Sequence, residues 1–205
     1  MTLARPRTRI QEKNRATILG AALEVFSTHG FRGSTLDQIA KAAGLSKPNL
    51  LYYFPSKDAI HAELLSGLLV NWLEPLHAID PDGDPIEEIM GYVLRKLDMA
   101  RTMPRESRLF ANEIVQGAPH MMGEIEGALK TLVEEKAGII QGWANAGKIK
   151  QVDPYHLIFS IWATTQHYAD FDVQVRAILN PAGDSHFDDA AAFLKQMFCA
   201  TLKPD

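Results

Sequence analysis

Residues 26–60 read FSTHGFRGSTLDQIAKAAGLSKPNLLYYFPSKDAI, and the breaks inside that string decide the fold. Before it, apolar residues at 18, 22, 25 and 26 recur at helical spacing and predict a first helix over about 10–29, ending near Gly30. Thr35 is the natural N-cap of a short second helix with Leu36, Ile39, Ala40 and Ala43 as its inner stripe. Gly44 stands where a helix C-terminus needs a residue at ease with positive φ. Ser46 then caps a third helix, with Pro48 in its first turn and Pro55 ending it. A helix of about eight residues is too short to hold itself in water. Leu45, Leu50 and Phe54 are therefore expected to pin it to its two predecessors, leaving Lys47, Asn49 and Tyr53 on its outer face. Tyr52 has two readings, ring in the core with the hydroxyl exposed, or fully outward.

Beyond residue 56 the pattern stays helical. SKDA opens a helix running to about Pro75, and DPDGDP at 80–85 is a loop with a proline-started helix behind it. Pro104, Pro119 and Pro154 mark further helix starts, with Asp153 as the cap before Pro154. A long helix from near His120 closes at Gly147, and NPAGDS at 180–185 precedes a last helix over about 187–202. No strand pattern or repeat is present. The expected fold is all-α: an N-terminal three-helix domain with a helix-turn-helix pattern over 1–57 and a helical C-terminal domain over 58–205.

Charge separates the two. The chain of 205 residues carries −4 overall, yet residues 1–60 hold nine bases against four acids, a net +5, and the remainder is −9. A basic head on an acidic body suits a head that meets a polyanion. No apolar run is long enough to span a bilayer. Glu24 interrupts the apolar stretch after the basic N-terminus, and no small-residue cleavage pattern follows, so a cytoplasmic protein without membrane association is expected. The single cysteine, Cys199, cannot form an internal disulfide and suits a core role in a reducing compartment.

Helix, glycine-containing turn and helix is the pattern that sets a second helix in the major groove with its N-terminal residues at base edges. Lysine can read guanine and asparagine adenine, so Lys47 and Asn49 are candidate base readers, with Pro48 against a thymine methyl group. Ser46, Tyr52, Tyr53, Thr35 and Lys57 are candidate phosphate contacts, and so are Arg5, Arg7 and Arg9 of the N-terminal arm.

The features F…G…ST…IA..AG.S…LYYF.SK within 26–60 resemble the N-terminal domain of the TetR family of bacterial transcriptional regulators. The resemblance implies about nine helices, a homodimer on a near-palindromic double-stranded operator, and a ligand pocket in the C-terminal domain. Family members often place a tyrosine where this chain has Leu51, a phosphate contact that Tyr52 and Tyr53 would take over. NWLEPL, SRLFANEIVQGAP and LIFSIWATTQHYADF are similar to the family's branch of pyrimidine-utilisation regulators, which implies a free pyrimidine, uracil or thymine, as effector.

The residues of 157–171 support a flat polar ligand independently. Ile158, Trp162, Gln166 and Ala169 share one helical face, and a carboxamide beside an indole offers a donor and an acceptor to an imide edge. Trp162 or Trp72 would stack on the ring, with Glu113, Arg108 and His167 as further polar candidates and Phe110 and Phe159 as core. The alternative is that tryptophan and glutamine merely pack. Seven histidines show no HxxxH or HxxEH pair, so no metal and no cofactor are expected. GxSxG, GxxxxGK[ST] and GxGxxG are absent, and no catalytic residues are assigned. The leading expectation is a ligand-responsive repressor; the alternatives are a structural DNA-binding protein without effector, or a helical enzyme.

Overall fold

In a computed structural model that describes residues 9–204, every regular element is helical. The order is α1 (Arg9–Gly33), α2 (Leu36–Ala42), α3 (Lys47–Tyr53), α4 (Lys57–His77), α5 (Pro85–Thr102) and α6 (Pro104–Val115), then α7 (Met122–Glu124), α8 (Lys130–Asn145), α9 (Pro154–Asp170), α10 (Asp172–Leu179) and α11 (His186–Leu202).

The head forms as its local signals dictate. Gly30 leaves helical geometry at φ 67°, ψ 168°, so α1 proper ends there and one further turn reaches Gly33. A capping box starts α2: the Gln38 amide donates to Thr35 Oγ1, and the Thr35 amide donates to Gln38 Oε1 at 2.8 Å. Gly44 adopts φ +68° between α2 and α3, a conformation that strains any residue carrying a Cβ. Ser46, Ser56, Asp84 and Asp153 each cap the helix that follows them.

Three boundaries differ from the sequence expectation. Pro119 starts no helix; it lies in the turn after α6, where Ala118 has φ 53°. The segment expected to begin near His120 begins at Met122 and passes through a π-helical stretch, Ile125–Leu129, before α8. The helix expected to start at Pro154 ends at Asp170: Phe171 has φ −114°, ψ 27°, its amide bonds the His167 carbonyl, and α10 begins at Asp172.

Two apolar cores result. One gathers Ile18, Phe26, Ile39, Leu50 and Phe54 of the head with Ile60, Leu65 and Leu69 of α4 and Leu109 and Met121 from α6 and beyond. The other joins α5, α8, α9 and α11 around Tyr92, Val93, Ile140, Ile158, Ile161 and Phe198. Leu73 of α4 packs against both. The head is therefore completed by α4 and α6, and both helices also meet the C-terminal core, α4 through α5 and α8 and α6 through α5 and α9.

Candidate nucleic-acid interface and effector cavity

Leu50 is fully buried and Phe54 nearly so, which orients α3. Ser46, Lys47, Pro48, Asn49 and Leu51 are exposed, and Tyr52 is 71% exposed. Tyr52 thus takes its outward reading. Tyr53 corrects its expectation: it is half-buried, and its hydroxyl accepts a hydrogen bond from Asn14 Nδ2 at 2.6 Å. Arg15 of α1 secures the end of α3. It donates to the Tyr53 carbonyl at 2.6 Å, lies 4.0 Å from the Phe54 ring centroid and pairs with Glu63 of α4. Asn14 and Arg15 were not singled out from the sequence, because a basic residue near a helix start reads as solvated surface.

Lys47 bonds Asp37 across the turn at 2.8 Å, both side chains remaining exposed. Thr35 is exposed at the start of α2, but its own amide and hydroxyl are engaged by Gln38. Lys57 departs from the phosphate role expected of it: its ammonium donates to the carbonyls of Phe31 and Ser34 at 2.6 and 2.8 Å and lies over the Phe31 ring. It closes the carbonyl end of α1 rather than reaching outward. Arg9 is exposed at the first residue of α1, while Arg5 and Arg7 lie outside the described residues.

In the C-terminal core, Trp72, Trp162 and Gln166 do line one cavity, together with Leu69, Leu73, Lys96, Phe110 and Leu129. Its volume is about 40 Å³. Phe110 is thus a wall of the cavity rather than plain core, its ring parallel to Trp72 at 6.5 Å. Phe159, expected inside, is 47% exposed. Trp162 Nε1 donates to the Tyr92 hydroxyl at 2.5 Å, which fixes the indole plane. Burial holds that phenol above its ordinary range. Trp72 Nε1 is buried without a hydrogen-bond partner.

Lys96 is a further residue the sequence did not single out. It is buried, its Nζ stands 4.8 Å from the Trp72 ring centroid, and burial pulls its pKa down to about 7 against the opposing pull of Asp170. Asp170 is held in turn by Ser107 Oγ at 2.6 Å, and its own carboxyl is raised by burial. The available signal was register: in α5, Lys96 falls on the apolar stripe of Ile89, Val93, Leu97 and Ala100, where a solvated lysine has no place.

The remaining expected contacts lie elsewhere. Arg108 Nη1 donates to the Ala169 carbonyl at 3.2 Å, near the C-terminal end of α9. His167 is exposed and stacks on Phe171 at 4.9 Å. Glu113 is buried 3.2 Å from His120 Nδ1 and 3.9 Å from His61 Nδ1, on the head side of the molecule. Burial, opposed by Glu113, lowers His61 to about 4.

A capped α3 with an exposed polar face, carried on a bundle whose largely apolar cavity holds a lysine and a glutamine, defines a helix-turn-helix DNA-binding protein with a ligand domain. The chain belongs to the tetR family of bacterial regulatory proteins: that family's model matches residues 18–64, and the model for the YcdC-like protein C-terminal region matches residues 65–205. The HTH-type transcriptional regulator RutR of Escherichia coli (strain K12) is 49% identical over 172 residues, 84% of this chain and 81% of its own. The HTH-type transcriptional regulator AcrR of Shigella flexneri is 28% identical over 60% of this chain and 57% of its own. Among solved structures, the regulator SCO4942 from Streptomyces coelicolor shares the fold at TM-score 0.75 and 23% identity over 93% of this chain and 99% of its own. AibR, solved with isovaleryl coenzyme A and operator DNA, does so at TM-score 0.72 and 17% identity over 90% and 97%. The protein is a transcriptional regulator of a ligand-responsive, DNA-binding, dimerising family, and not an enzyme.

Proposed function

We propose that this regulator is a cytoplasmic repressor released from a near-palindromic operator by a small planar heterocycle, a free pyrimidine such as uracil or thymine. The observation that carries this reading is that Lys96, Trp72 and Gln166 line one cavity walled by aromatic rings. A buried polar group without a partner is costly, and the Trp72 indole in the wall of this cavity carries one. Gln166 offers the donor and acceptor that an imide edge requires, while Trp72, Phe110 and Trp162 supply faces for the ring. About 40 Å³ holds little more than a water, so a ring enters only as the walls move apart. The wall includes Leu69, Trp72 and Leu73 of α4, the helix that leads back to the head. Opening the cavity thus tilts the head.

On the operator, Lys47, Pro48 and Asn49 read base edges, and Ser46, Tyr52 and the arm residues Arg5, Arg7 and Arg9 hold phosphates. The two copies meet along α9 and α11, where Phe159 and Phe193 are 47% and 60% exposed and a groove runs between the helices past His156, Ser160, Thr164, Met197 and Thr201. A two-fold seam there sets two α3 helices one DNA turn apart.

The test is thermal melting and calorimetry with uracil, thymine and purine bases, followed by operator anisotropy with the base that binds. The expected result is a rise in melting midpoint with a pyrimidine and a matching loss of operator affinity. Gln166→Ala should abolish both responses while operator binding in the absence of base persists. A midpoint unmoved by every base would end the reading.

A further inference from the structure

We infer that His61, Glu113 and His120 form a binding site for one divalent transition ion of borderline softness, of the Zn²⁺ kind, where α4 meets α6. The three residues come from α4, from α6 and from the turn after it. One ligand atom from each falls within 4.8 Å of the others. Glu113 Oε2 is the common point, 3.2 Å from His120 Nδ1 and 3.9 Å from His61 Nδ1. A tetrahedral ion with bonds of about 2.0–2.1 Å sets its donors roughly 3.3 Å apart. The Glu113–His120 pair already meets that spacing, and an inward shift of His61 completes it.

Independent features point to a ligand. His61 Nδ1 is buried with no hydrogen-bond partner although the ring is only 2% exposed. Buried polar atoms seldom remain unsatisfied. The carboxylate is already aimed, because the His120 amide donates to Glu113 Oε1 at 2.7 Å. Asp58 Oδ1 lies 3.5 Å from His120 Nε2, the carboxylate-behind-histidine arrangement that orients metal-ligating imidazoles. Phe31 covers both imidazoles at 4.5 and 5.0 Å, screening the site. A cavity of about 130 Å³ adjoins the three side chains and gives a water room as a fourth ligand. Two imidazoles and a carboxylate suit zinc, cobalt or nickel rather than magnesium or calcium.

Such an ion would lock α4, the helix that follows the recognition element, against α6. It would change operator affinity only to the extent that it binds the DNA-bound and free states differently. The experiment strips the full-length protein with a chelator, removes the chelator, and titrates with Co²⁺ and then Zn²⁺. The expected result is one ion per chain, visible Co²⁺ bands of a four- or five-coordinate N/O site, and their displacement by Zn²⁺. His120→Gln, at a partly exposed position, should weaken binding on the order of tenfold or more with unchanged circular dichroism. Glu113→Gln should do the same, and Gln166→Ala should leave binding intact. Absence of stoichiometric uptake, or equal uptake by wild type, His120→Gln and Glu113→Gln, overturns the proposal.

Discussion

Lys47 already has a partner before any DNA arrives: the Asp37 carboxylate at 2.8 Å. Exposed ion pairs contribute only ~0.2–1 kcal/mol, so a guanine edge or a phosphate can displace this one. Asp37 also brings a negative charge close to the duplex. Asp37→Asn is therefore expected to tighten operator binding and to steepen its decline with salt, measured by anisotropy over a salt series. At the other end of the molecule, Lys96 is titratable where few lysines are. Its folded pKa of about 7 lies below the ordinary 10.5, so between those values the unfolded chain holds the extra proton. Stability should then rise with pH from about 7 toward 10.5, and the cost of burying the charge is fully present below 7. Lys96→Met should remove most of that slope in urea denaturation and also blunt the response to a bound base.

At the scale of elements, α3 spans seven residues and depends on its neighbours. Leu50 and Phe54 anchor its inner side, and Arg15 ties its last carbonyl to α1 and α4. Arg15→Ala loses a charge-assisted hydrogen bond worth roughly 1.5–3 kcal/mol together with its packing on Phe54. The expected outcome is a lower melting midpoint and an operator affinity that falls more than the loss of one positive charge explains, read by calorimetry and anisotropy on the same variant. The start and stop of α3 were legible beforehand, since Ser46, Pro48, Gly44 and Pro55 act within a few residues of themselves. The break at Phe171 was not. No glycine or proline marks it, and Phe171, Val173 and Ile178 prolong an apolar pattern.

For the whole molecule, the proposed coupling runs through α4, beside α6, which also packs on both α1 and α9. Helix α4 begins three residues beyond Phe54, walls the Trp72 cavity at Leu69, Trp72 and Leu73, and packs into both cores. A ligand of the cavity can shift operator affinity only by its preference for one tilt over the other, typically ~1–3 kcal/mol. Reading the operator as a pair of half-sites also requires a dimer, for which the proposed seam runs along α9 and α11. Phe193→Asp, at a position 60% exposed in the single chain, should give a monomer by sedimentation and a half-site affinity without cooperativity, while helix content by circular dichroism is unchanged. A dimer that survives this change would place the seam elsewhere.

What the sequence determined by itself were the features whose causes are local. Caps, glycine turns, prolines and apolar spacing defined the helix-turn-helix, the outward face of Lys47 and Asn49, and the indole–carboxamide face of α9, because each depends on residues within a turn or two of chain. Tertiary structure alone decided that Lys57 closes α1, that Tyr53 turns inward and Tyr52 outward, and that Lys96 enters the Trp72 cavity. It also decided that Glu113 leaves that cavity to stand between His61 and His120. Those outcomes join side chains far apart in the chain, and their position is set by how amphipathic helices stack to bury their stripes. Helical periodicity gives the direction of each stripe and carries no information about which other stripe it will face.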